Sequence, residues 1–123
     1  MTRARILMAV LILLAPLAGH ADGFLSIEDD LPLMPGLAEV PEGGIVFDTA
    51  EGRLAETQAT GALAAPQVLE FYAAALPELG WTRLDDATFR RDAELLRLQM
   101  APTAAGVAVR FSISPISGGN KTK

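Results

Sequence analysis

The side chains able to do chemistry in this chain are carboxylates, arginines, a few hydroxyls and one phenol, Tyr72. The sole histidine is His20, cysteine is absent, and both lysines, Lys121 and Lys123, stand in the polar run Ser117 to Lys123. Two acidic clusters, Glu28-Asp29-Asp30 and Asp85-Asp86, bring together oxygens that could touch a calcium ion, and paired carboxylates can serve as acid and base on a glycan. Neither cluster has the spaced ligand loop of a dedicated calcium site, and ordinary turn chemistry accounts for Asp85-Asp86. The other candidate group is cationic: Arg90, Arg97 and Arg110, suited to anionic headgroups, an anionic glycan or an acidic partner.

The first residues decide where such chemistry would take place. Arg3 and Arg5 precede the apolar run Ile6 to Leu17, and Gly19-His20-Ala21 offers a small-x-small exit. That order is the pattern of an export signal, cleaved here before Asp22. As a helix the apolar run reaches about 18 Å, against about 30 Å of bilayer hydrocarbon, and Pro16 interrupts it. A retained anchor is the competing reading.

Taking the first 21 residues from 123 leaves 102, one small domain. The exported form carries eight basic and fifteen acidic side chains, a net charge of −7. Phosphate binding needs a basic excess, so no nucleic-acid partner is expected. Loss of His20 with the leader leaves neither imidazole nor thiol. A Ser-His-Asp or Cys-His centre and a zinc site of the usual ligands therefore cannot be assembled, nor can a disulfide or an amino-terminal lipid on cysteine. No cofactor and no metal is expected.

The elements that position the candidates follow from periodicity. Charge is segregated: Asp22 to Glu56 holds nine acids and only Arg53, whereas Thr57 to Lys123 holds six acids and seven bases. Pro32, Pro35 and Pro41 punctuate Leu31, Leu33, Met34, Leu37 and Val40, which forbids a helix and predicts an extended apolar arm over 22–43. Such an arm either packs on its own domain or docks on a partner through Leu31, Leu33, Met34 and Leu37. Ile45 to Asp48 reads as a strand, followed by a turn at Ala50-Glu51-Gly52 and a weaker strand over Leu54 to Thr60, expected as an edge strand or partly loop. Pro66 to Leu79 gathers Val68, Leu69, Phe71, Tyr72, Ala75, Leu76 and Leu79 on one helical face, with Gly80 as the stop and Pro77 as a late kink turned to solvent. Trp81 to Leu84 and Thr88 to Arg91 flank a tight turn, and alternation places strands at Leu96 to Met100 and Val107 to Ile113.

The expected fold is thus α+β: an antiparallel sheet of about five strands with one amphipathic helix on one face, in the order ββαβββ. It occupies 44–116, between the arm and a polar tail at 117–123. With Phe89, Leu96, Leu98, Val107, Val109, Phe111 and Ile113 turned to the helix, Arg90, Arg97 and Arg110 emerge on the opposite face as a stripe across three strands. The bland alternative pairs them with Glu28-Asp29-Asp30 or leaves them solvated.

The run Phe71-Tyr72-Ala73-Ala74-Ala75-Leu76-Pro77-Glu78-Leu79-Gly80-Trp81 resembles an F-Y-x3-L-x3-G-W signature of small exported bacterial envelope domains, functionally varied or uncharacterised. The resemblance implies an amphipathic helix that delivers Trp81 into the next strand of an α+β domain. It brings no catalytic residues. The resulting expectation is a non-catalytic binding or assembly module of the periplasm, with another envelope protein as its partner. The alternatives are a carboxylate-dependent hydrolase of envelope polysaccharide and peripheral contact with an anionic membrane surface.

Overall fold

The computed structural model describes residues 23–116. The expected leader at 1–21 and the tail at 117–123 lie outside the described residues. Seven strands and one α-helix make an α+β fold: β1 (Leu37–Glu39), β2 (Ile45–Thr49), β3 (Gly52–Gly61), α1 (Ala65–Ala75), β4 (Thr82–Asp85), β5 (Thr88–Arg91), β6 (Glu94–Thr103) and β7 (Gly106–Pro115). All pairings are antiparallel, in the order β1-β3-β7-β6-β5-β4, and β2 also pairs with β3. Three strands precede the helix and four follow it, two more than the expected order.

The largest departure is β3. Its alanines and mixed pattern suggest an edge, yet it is a ten-residue strand with neighbours on both sides. It pairs with β7 from Ala55↔Ile113 to Gly61↔Val107. Its inward side chains, Ala55, Thr57 and Ala59, are buried, and they are small because a segment of the chain lies on top of them. That segment is the arm. Leu25, Ile27, Leu31 and Leu37 are core residues, and Leu33 and Met34 pack against the core.

The arm folds back on itself. Leu25 N–H donates to the Leu31 carbonyl at 2.8 Å, and an isolated bridge joins Phe24 and Pro32. Tyr72 Oη then ties the arm to α1, donating to the Pro32 carbonyl at 2.7 Å and accepting from the Met34 N–H at 3.1 Å. Met34-Pro35-Gly36-Leu37 closes a turn, with Leu37 N–H donating to Met34 C=O at 2.9 Å. Proline second and a left-handed glycine third (Gly36 φ 99°) are the type II pattern. This turn feeds β1, a strand that the proline spacing had concealed.

One face of the sheet is covered by α1 and the arm. Val68, Tyr72 and Leu76 meet the inward side chains of β6 and β7, and the Tyr72 ring lies edge-on to Phe111 with centroids 5.3 Å apart. Gln67 Oε1 accepts from the Ala64 N–H at 2.8 Å and so caps the start of α1. The α-helix ends before Pro77, sooner than the apolar periodicity implies. Pro77–Leu79 continue as one 3₁₀ turn, which suits a ring that cannot donate a hydrogen bond. Gly80, at φ 92°, supplies the left-handed stop expected of it. Trp81 follows, 2 % exposed, at the junction of helix and sheet.

Candidate functional site

The other face of the sheet carries no helix among the described residues. Registers Arg90↔Leu95, Thr88↔Arg97, Arg97↔Ser112 and Gln99↔Arg110 place Arg90, Arg97 and Arg110 on this open face. They form a diagonal across β5, β6 and β7, because partners in an antiparallel pair share a face and neighbours alternate. All three are exposed. Arg110 Nε lies 3.8 Å from Glu56 Oε1. Arg90 and Arg97 have no carboxylate within 4 Å among the described residues.

The acidic cluster Glu28-Asp29-Asp30 within the arm does not serve these arginines. Glu28 pairs with Arg53, and Asp30 Oδ2 lies 2.7 Å from Arg91 Nη1, while Glu94 sits 3.5 Å from Arg53. Arg53 also donates to the Ile27 carbonyl at 3.1 Å and Arg91 to the Leu79 carbonyl at 3.0 Å. The Arg91 guanidinium lies over the Trp81 ring at 4.4 Å, a cation–π contact. This lattice clamps the arm to both sides of the covered face. Hydrogen bonds from both arginines to carboxylates hold their guanidinium pKa values above the ordinary one.

A second clamp lies at Glu39. Its carboxylate accepts from the Ser26 N–H at 3.0 Å, from the Ser26 hydroxyl, and from the buried Thr57 hydroxyl at 2.6 Å. Burial alone would raise this pKa, but the hydrogen bonds from Ser26 and Thr57 outweigh it and hold the carboxyl below its usual range. A carboxylate so held is a poor proton acceptor, and its geometry fixes the arm. Asp85 Oδ1 accepts from the Ala87 N–H at 2.9 Å, and this bond with that from Thr88 lowers its pKa. Asp86 meets Arg83 at 3.0 Å. Both aspartates therefore shape the β4–β5 turn. No cluster of three or more metal-binding side chains occurs among the described residues.

The remaining candidates divide by burial. Leu31 is 0 % and Leu37 7 % exposed, so neither presents a side chain to a partner. Leu33 and Met34 are half-buried against the core. For Leu31 and Leu37 the reading as a docking surface is corrected on that ground: the arm buries both on its own domain.

Besides Phe24 in the arm and Leu84 in β4, the exposed large apolar side chains gather at Ile45, Val46 and Phe47 of β2 and Leu54 of β3, which are 47, 52, 60 and 41 % exposed. Ile45↔Glu56 and Phe47↔Leu54 put Ile45 and Phe47 on the open face. There a groove of about 290 Å³ is lined by Ile45, Phe47, Leu54, Glu56, Ser112 and Ser114. The sequence contained no signal for this surface, because Ile45-Val46-Phe47 reads as any strand would. Only the position of β2 at the sheet margin exposes it. No helix among the described residues is long and apolar enough to cross a membrane. Comparison of the chain with protein families, curated proteins and solved structures found no match.

Proposed function

We propose that the protein is a non-catalytic binding module of the bacterial cell envelope, exported to the periplasm, whose working surface is the uncovered face of its sheet. The observation that carries this reading is the asymmetry of the fold. A seven-stranded sheet is covered on one face by a single helix and the arm, and its other face displays an arginine diagonal beside an apolar groove. Supporting it, Glu28, Asp30 and Glu39 hold the arm, Asp85 and Asp86 shape a turn, and the exported sequence has neither histidine nor cysteine to activate a nucleophile. The polysaccharide hydrolase reading has less support, since the perturbed carboxylates, Glu39 and Asp85, are shifted downward, opposite to what a general acid requires.

Anionic lipid is a second ligand consistent with the stripe, because Arg90 and Arg97 have no ion-pair partner among the described residues. A photo-crosslinking side chain at Arg97, compared with one at Glu70 on the exposed flank of α1, tests the main reading in living cells. The expected result is a reproducible envelope protein captured from position 97 and not from position 70. Equal capture from both positions, or none from either, overturns it.

A further inference from the structure

The β2 edge is the least protected backbone in the fold. Among the described residues it pairs with β3 on one side and with nothing on the other. All five of its residues are exposed, and alternate N–H and C=O groups point outward from such an edge. The opposite margin differs: β4 is irregular between Arg83 and Asp85 and carries a cation, two devices that blunt an edge. Within β2 there is no proline, lysine or bulge.

The chemistry around β2 says what would cover it. Ile45 and Phe47 face the groove, whereas Val46 and Asp48 lie toward the covered side, opposite Ala55 and Arg53. Asp48 within the strand and Glu42 and Glu51 on either side of it are exposed and in no ion pair among the described residues. Arg53, the nearest cation, is already engaged by Glu28 and Glu94. A second copy would bring a second set of the same acids to the same edge, within a chain of net charge −5, so charge disfavours self-pairing.

We propose that β2 accepts an extended, basic segment of a partner protein by strand addition. Apolar side chains of that segment lie on the groove side, and lysine or arginine alternates on the side of Asp48. The inference rests on the reading of the protein as a contact module and names the partner's chemistry. Backbone hydrogen bonds supply the pairing, the exposed side chains of Ile45 and Phe47 select apolar residues at every second position on the open face, and Asp48 with the flanking acids selects the charge between them.

The test uses a blocked seven-residue peptide that alternates lysine and valine, titrated into isotope-labelled protein while backbone amides are followed by NMR. Expected are saturable shifts centred on Ile45 to Thr49 and slowed hydrogen exchange there. Affinity should fall about three- to tenfold when Asp48→Asn and Glu51→Gln are combined. A glutamate-valine peptide and a peptide N-methylated at alternate residues should both fail to bind. Phe47→Thr keeps strand propensity at an exposed site, so its loss of binding with unchanged Trp81 emission separates recognition from folding. Shifts centred on Arg90, Arg97 and Arg110, equal binding of the acidic or methylated peptide, self-association through β2, or no binding each overturn the proposal. Capture from position 97 is measured independently, so a failure at β2 leaves the broader reading standing or falling on its own result.

Discussion

Replacing Leu31 by alanine distinguishes an arm that belongs to the core from one that waits for a partner. Leu31 is 0 % exposed, and its main-chain groups are already fixed, the N–H by the Glu28 carbonyl at 3.2 Å and the C=O by the Leu25 N–H at 2.8 Å. The substitution therefore leaves the backbone bonds in place and removes side-chain packing alone. Truncating a fully buried leucine costs about 2–5 kcal/mol, including the cavity left behind. The upper half of that range applies if the void cannot collapse, and the Tyr72, Glu39 and Arg91 clamps on either side hold the arm open around it. Because a domain of this size is stable by about 5–15 kcal/mol, the loss is a large share of the whole. Urea unfolding followed by Trp81 emission measures it, with Phe47→Ala, at an exposed site, as the comparison expected to stay within about 1 kcal/mol. A Leu31→Ala cost below about 1 kcal/mol would refute the assignment of the arm to the core.

Two other predictions concern titration. Glu39 is held ionised by Ser26 and Thr57 with its pKa below the ordinary value, so its stabilising effect is complete above the unfolded carboxyl pKa of about 4.3 and is lost as pH falls through the lower folded value. Glu39→Gln should lower stability at neutral pH and flatten the acid limb of the pH–stability curve, whereas an unchanged acid limb would contradict the clamp. Tyr72 is the only tyrosine, and burial pushes its hydroxyl pKa well up despite the hydrogen bond with Met34. Its stabilising effect is therefore complete below the unfolded value of about 10 and falls at higher pH as the unfolded chain ionises. Spectrophotometric titration should show phenolate only with unfolding, and an ordinary reversible titration near pH 10 in the folded protein would refute the burial. Tyr72→Phe, which removes both arm bonds, should cost about 1–3 kcal/mol in urea.

What the sequence made legible was whatever repeats at short range. The alternation in Val107 to Ile113 and Leu96 to Met100 is visible because those strands are half-buried and each inward position is large. The same alternation fixes the side on which Arg97 and Arg110 emerge, since a one-residue slip would invert the face. The helix is legible through its apolar arc and Gly80, although Pro77 ends the α-helical part earlier than that arc suggests. β3 is illegible as a central strand because Ala55, Thr57 and Ala59 are small, and they are small only in relation to the arm above them. The partnership of Arg53 and Arg91 with Glu28 and Asp30 spans 25 and 61 residues of chain. No local pattern encodes contacts at that separation. The exposure of β2 likewise depends on strand order, which periodicity does not contain.

β1 and β2 share one margin of β3, opposite Ala59–Gly61 and Gly52–Glu56 respectively, with the chain bowing away between them in the turn after Val40, where Glu42 adopts φ 65°. The bow breaks the margin into one three-residue and one five-residue stretch. A guest on the longer stretch finds two or three outward-facing residues, room for about four to six backbone hydrogen bonds, before the template stops. Such a landing favours quick, reversible visits and gives little purchase to the long in-register stacking from which fibrils grow.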